Sequence, residues 1–208
     1  MSAPPINAST PTLVIATHNR GKAHEIRKIL GDIPWRLISL NEFDGIGSAE
    51  EIEPTYAGNA IAKAKYYASW TGKVVLADDS GLEVEALDGA PGVLSARYAG
   101  PEASDYDRRV KLLDELSGTQ NRKARFVCAV AIATAKQEIL TVAHGVCPGS
   151  ITREPHGDSG FGYDPLFVPD GYEQTFGELP ETLKNEISHR GRALEKVREY
   201  LLGKSWTA

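Results

Sequence analysis

Cysteine is almost absent from this chain of 208 residues: Cys128 and Cys147 are the whole complement. Two thiols make neither a disulfide framework nor a cysteine-based zinc site, so both read as reduced thiols on buried strands. No apolar run approaches the roughly 20 residues that span a bilayer, which argues against a membrane partner. Cationic residues are in the minority, 23 Lys and Arg against 28 Asp and Glu for a formal charge of −5, and this argues against nucleic acid. The first dozen residues, MSAPPINASTPT, lack both the basic start and the apolar run of a signal peptide. Their Pro, Ser and Thr content predicts a loose tail over 1–12, and the lack of signal-peptide features leads to the expectation of a cytoplasmic home. Gly-x-x-x-x-Gly-Lys-Ser/Thr does not occur, so any phosphate site is not a P-loop.

What is present suffices for one substantial core: 41% hydrophobic and 25% charged residues, ordinary values for a globular protein. A single folding unit over 13–208 is expected, and two lobes would not strain the usual domain sizes. The stretch on which the chain turns is Lys73 to Gly81, KVVLADDSG. Val74 to Ala77 read as a strand covered on both faces, and ligands in open α/β sheets gather beyond such strand ends. Asp78 and Asp79 therefore stand where a site is expected, with oxygens suited to a hard cation such as Mg²⁺. Neighbouring strand side chains point to opposite faces, so both serve one site only if the chain bends at Ser80-Gly81. The competing reading is that Asp-Asp-Ser-Gly is simply a turn.

Leu13 to Thr17 read as a strand that His18-Asn19-Arg20-Gly21-Lys22 turns into a helix with Ile26, Ile29 and Leu30 at helical spacing. Thr17, Asn19 and Lys22 lie beside that helix N-terminus, which favours an anion, although a surface Lys is the plainer reading. Trp35 to Leu40 read as a second strand. Glu50, Glu51 and Glu53 precede a helix over about Thr55 to Trp70, which carries Lys63 and Lys65 and is ended by Gly72. Leu82 to Leu87 alternate as a half-exposed strand does, and Asp105 to Leu116 read as a packing helix. Arg125 to Thr134 and Glu138 to Val146 read as an antiparallel hairpin, which makes the sheet mixed. Gly157 to Phe167 form a glycine-rich loop in which Phe161 could stack on a base or face the core. Lys184, His189 and Arg190 converge on a polar break before a last helix expected from Ala193 to Leu202.

Taken together, Thr17-x-Asn19-x-x-Lys22, SAEE at 48–51, ADDSGLEV at 77–84, GAPGVLSARYAG at 89–100, GFGYDPLF at 160–167 and SHRG at 188–191 closely resemble the inosine triphosphate pyrophosphatase family. The resemblance covers nearly all of the chain after the tail, with the motifs in family order. It implies an α/β fold in which a long mixed central sheet with flanking helices forms two lobes around an active-site cleft, and a homodimer. It also implies hydrolysis of non-standard purine nucleoside triphosphates (ITP, dITP, XTP) to the monophosphate and pyrophosphate with Mg²⁺. Carried over residue by residue, Thr17, His18, Asn19, Arg20, Gly21 and Lys22 hold the triphosphate. Glu51 or Glu50 binds the metal with Asp79, which also accepts the proton, and Lys63 and Asp78 support that centre. Ser80 contacts substrate, and Phe161, Gly162, Tyr163, Asp164, Lys184, His189 and Arg190 line the base pocket. The chain departs from the family at Gly58, where bacterial relatives often carry Glu beside Asn59, so a carboxylate near Lys63 is missing. A pyrophosphatase for a modified pyrimidine, or a nucleotide-binding regulatory module without turnover, are the competing expectations.

Overall fold

The computed structural model describes residues 10–204, so most of the expected tail over 1–12 lies outside the described residues, and Thr12 already belongs to the first strand. Six strands form one sheet in the order β2-β1-β3-β4-β5-β6. They are β1 (Thr12–Ile15), β2 (Arg36–Ser39), β3 (Val74–Val84), β4 (Lys123–Ala133), β5 (Ile139–Ile151) and β6 (Phe167–Pro169). The helices are α1 (Arg20–Ile29), α2 (Tyr56–Thr71), α3 (Asp105–Glu115), α4 (Glu181–Ile187) and α5 (His189–Leu202). β1 pairs in parallel with both β2 and β3, whereas β5 and β6 are antiparallel, so the sheet is mixed as expected. Among the described residues, no helix is long and apolar enough to cross a membrane.

The chain divides into two compact units, one of residues 1–79, 129–144 and 191–208 and the other of residues 80–128 and 145–190. In the first, β1 crosses through α1 to β2, and β2 returns through α2 to β3. Right-handed crossovers running outward and then back put α1 and α2 on opposite faces of the parallel strands. Thr55 caps α2 by accepting from the Gly58 N–H, and Gly72 ends it in the left-handed region, φ +62°. In the second unit, a core of Leu82, Val84, Leu112, Phe126, Phe167 and Phe176 and their neighbours packs beneath α3 and its flanking loops. Ser104 opens α3 with a capping box that includes Asp107. Cys128 and Cys147 are buried on β4 and β5 and form no disulfide, as read from the sequence.

Several boundaries differ from expectation, and β5 runs on to Ile151, past the expected Val146. β3 does not end at the carboxylates but runs on through Asp78-Asp79-Ser80-Gly81 to Val84. The strand that stops is β1: its register with β3 ends at Ile15 and Leu76, with a last bond from the Ala16 N–H to the Leu76 carbonyl. Asp78 and Asp79 thus lie past the carboxyl end of a parallel neighbour while their own strand continues. The strand expected over Leu82 to Leu87 is the end of β3, followed by a 3-10 turn at Glu85–Leu87. The last helix begins at His189 instead of Ala193, because Ser188 alone, extended at φ −68° and ψ 161°, separates it from α4. His189 and Arg190 are therefore first-turn residues of α5. Hydrophilic as they are, they are tolerated in the interior because His189 stacks on Phe126 at 4.6 Å and Arg190 reaches a hydroxyl.

Candidate active site

The first unit assembles a cluster of carboxylates and lysines around β3. Alternation sends Asp78 and Asp79 to opposite sides of the strand, and each meets the lysine of the helix on its side. Asp78 Oδ2 lies 3.1 Å from Lys22 Nζ of α1, and Asp79 Oδ1 lies 3.3 Å from Lys63 Nζ of α2. Lys63 is shared, since its Nζ is also 2.6 Å from Glu51 Oε1. Asp79 Oδ2 accepts from Asn59 Nδ2 at 3.0 Å. Asp78, Asp79, Lys63 and Asn59 are all buried.

Burial at this density shifts protonation. Burial by itself would lower Lys63, but the carboxylates of Asp79, Asp78 and Glu51 outweigh it and hold the ammonium above the usual lysine range. Burial also raises the Asp79 carboxyl above its ordinary value, against the opposing pull of Lys63 and Lys22. Asp79 is thus a stronger base than an exposed aspartate.

Next to this cluster, the 17–22 stretch forms the start of α1. Asn19 caps the helix by accepting from the Lys22 N–H at 3.0 Å, and the Asn19 N–H in turn donates to Thr17 Oγ1 at 3.1 Å. Arg20, Gly21 and Lys22 are the first helical turn, where Asn19 takes the Lys22 N–H and the N–H groups of Arg20 and Gly21 have no partner within the helix. His18 Nε2 lies 3.2 Å from the Tyr67 hydroxyl. The acidic segment separates the two candidate glutamates, for Glu51 meets Lys63 while Glu50 is exposed. Even with Gly58 in place of a carboxylate, Lys63 is oriented, and Glu51 and Asp79 orient it. Among the described residues, no group of three or more His, Cys, Asp or Glu is arranged to hold a metal. The donor chemistry of Glu51 and Asp79 nevertheless fits a hard cation of the Mg²⁺ type, which characteristically takes one or two carboxylates and completes its shell with water and phosphate oxygens.

The second unit carries a separate cluster around the glycine-rich loop. Asp164 Oδ2 accepts from Lys184 Nζ at 2.6 Å and from the Phe161 N–H at 2.8 Å, so one buried carboxylate fixes both the cation and the loop. Gly160 has φ +78°, and a Cβ there would lie 2.2 Å from that same oxygen. Gly162 is gripped from α3: its N–H donates to Asp105 at 2.7 Å, and its carbonyl accepts from Arg109 at 2.8 Å. Lys184 Nζ lies 4.9 Å and the Arg190 guanidinium 5.7 Å from the centre of the half-buried Phe161 ring. Arg190, 2% exposed, donates to Ser80 Oγ at 2.9 Å. Tyr163 is in the core, where its hydroxyl donates to the Ser95 carbonyl. Its ring packs behind the loop, and Phe161 is the aromatic left half-open.

The family model of the Ham1 family matches residues 13–200. This chain belongs to the Ham1 family. Among Ham1 relatives, a dITP/XTP pyrophosphatase of Desulforamulus reducens is 50% identical over 191 residues, covering 91% of this chain and 94% of that protein. A protein of the same name from an Exiguobacterium species is 48% identical over 185 residues, 89% of this chain and 94% of that one. A solved HAM1 protein of Coxiella burnetii superposes with a TM-score of 0.85 at 41% identity, over 93% of this chain and all of that one. The Ham1 protein of Staphylococcus aureus gives 0.83 at 38% identity, again over 93% of this chain and all of that one.

Sequence reasoning passed over Asn59, Tyr67, Asp105 and Arg109, each of which orients a candidate residue or loop. Asn59, Lys63 and Tyr67 were legible in principle as polar side chains spaced by four within an alanine-rich helix. Asp105 and Arg109 carried no such signal, because solvated helix faces look the same.

Proposed function

We infer that this chain hydrolyses non-standard purine nucleoside triphosphates, ITP, dITP and XTP, to the monophosphate and pyrophosphate. The observation that carries the reading is the Glu51–Lys63–Asp79 cluster beside a capped helix start, within a chain of the Ham1 family. Lys22 and Lys63 neutralise triphosphate charge, and the N–H groups at the start of α1 donate to phosphate oxygens. Asp79, with one oxygen held by Asn59, takes a proton from the water that attacks the α-phosphorus. The bond to the β-phosphate breaks, and its electron pair leaves with pyrophosphate. A Mg²⁺ ion held by Glu51 and Asp79 would supply further charge neutralisation at the phosphates.

Base selection falls to the second cluster. Phe161 stacks on hypoxanthine and adenine almost equally, whereas the cationic donors of Arg190 and Lys184 suit a six-oxo acceptor and oppose the six-amino group of adenine. Unpaired buried donors cost about 1–3 kcal/mol each, and sites built on hydrogen bonding reach about 10⁴-fold discrimination. ATP is accordingly expected to be a poor substrate, and GTP, which shares the six-oxo group, an intermediate one. Measuring kcat/KM for ITP, XTP, GTP and ATP tests this, and ATP turned over as well as ITP would contradict it. A cytoplasmic homodimer is the proposed state, with sedimentation as the check on assembly.

A further inference from the structure

Asn59, Lys63 and Tyr67 are spaced by four along α2 and so form one stripe on that helix. Segment 49–53 meets the stripe in reverse order. The Ala49 N–H donates to the Tyr67 hydroxyl at 3.2 Å, Lys63 Nζ donates to Glu51 at 2.6 Å, and the Glu53 N–H donates to Asn59 Oδ1 at 3.0 Å. Four residues of helix advance about 6 Å and two residues of extended chain about 6.6 Å, so the two repeats stay in step. Every second residue of the segment therefore touches the stripe, through the backbone N–H at 49 and 53 and through the side chain at Glu51. The side chains of Glu50, Ile52 and Glu53 are exposed, Ile52 by 79%.

Asn59 has a second task. The Glu53 N–H can only donate, so it claims Oδ1 and leaves Nδ2 to donate to Asp79 Oδ2 at 3.0 Å. One fully buried carboxamide thus ties Asp79 to the segment that carries Glu51. Gly58 permits the close approach, since a Cβ there would lie 2.8 Å from Glu53 Cβ. At the other end of the stripe, Tyr67 joins the segment to His18.

We propose that this stripe is a template that sets the separation and orientation of Glu51 and Asp79, with Asn59 and Tyr67 as positioning residues. The proposal rests on the reading of those two carboxylates as the metal-binding and water-activating pair. Asn59 acts through Asp79 and Tyr67 through the 49–53 segment. Neither is assigned a contact with the reacting atoms. Loss of hydrogen-bonding partners of this kind typically costs 10–100-fold in metal affinity or activity.

The test uses the full chain as wild type, Asn59→Leu and Tyr67→Phe. Three readouts are taken: Mn²⁺ affinity by calorimetry without nucleotide, kcat and KM on ITP, and hydrogen exchange at the Ala49 and Glu53 amides. Asn59→Leu keeps the branched shape of the side chain but puts methyls in place of both hydrogen-bonding groups, and it is expected to weaken Mn²⁺ and lower kcat by about 10–100-fold with KM changed far less. Tyr67→Phe is expected to release protection at Ala49 and to weaken Mn²⁺ by a smaller factor. A folded Asn59→Leu variant that binds Mn²⁺ and turns over as wild type does overturns the proposal. If Asn59→Leu does not fold, Tyr67→Phe decides, and unchanged exchange with unchanged Mn²⁺ affinity overturns it. A wild type that binds Mn²⁺ but leaves ITP intact would sink the proposed function, while the metal and exchange readouts would still judge the template.

Discussion

Replacing Lys184 with Met isolates the buried ion pair behind the glycine-rich loop. Lys184 Nζ is 2.6 Å from Asp164 Oδ2, and the two side chains are 6% and 5% exposed. Met preserves most of the volume, so the change removes the ammonium from a carboxylate that stays buried. Breaking such a pair on one side costs about 3–5 kcal/mol. At about 2–4 °C per kcal/mol for a chain of this size, the melting temperature is expected to fall by roughly 6–20 °C. Adding Asp164→Asn to Lys184→Met removes the remaining carboxylate charge and is expected to recover part of the loss. Thermal unfolding of the three proteins is the assay. A loss below about 2 °C would refute the claim that this pair anchors the loop.

Other perturbations reach different parts of the account. Asp79→Asn removes a charge with little change of volume and is expected to abolish turnover while the protein stays folded; wild-type rates in that variant would take Asp79 out of the mechanism. Arg190→Ala is expected to lose more kcat/KM on ITP and XTP than on ATP, whereas equal losses on all nucleotides would place Arg190 in phosphate binding or in the scaffold. Asp105 is pushed up by burial, but its bonds from the Gly162 N–H and Arg108, together with the charge of Arg109, bring it below the usual carboxylate range. Its contribution to stability is therefore present above the unfolded carboxylate value and lost as pH falls through the lowered one. Asp105→Asn should flatten that acid limb, and an unchanged acid-unfolding midpoint would contradict the role of Asp105 in holding Gly162.

Much of this was legible in the sequence because strong local patterns agree with the fold. The apolar run Val74 to Ala77, the alanine-rich helix closed by Gly72 and the amphipathic stretch from Asp105 all stand near where periodicity puts them. Asp-Asp-Ser-Gly offered a turn as a competing reading because Asp, Ser and Gly favour turns and are sparse in strands, and only pairing with neighbouring strands overrides that local preference. The choice between Glu50 and Glu51 depended on which face of an irregular segment meets α2, and no periodicity in the segment reports that. Phe161 and Tyr163 are indistinguishable as letters, yet one ring is half-open and the other has its hydroxyl bound in the core. The grip of Asp105 and Arg109 on Gly162 joins residues more than 50 positions apart, and such pairings emerge only with tertiary structure.

The central claim is cleavage between the α- and β-phosphates of a six-oxo purine nucleotide. Incubating the purified protein with ITP and Mg²⁺, free of contaminating pyrophosphatase, and resolving the products over time tests it most directly. IMP and pyrophosphate in equal amounts are predicted, with no IDP at any time. Stoichiometric inorganic phosphate together with IDP would contradict the account and require another placement of the attacking water.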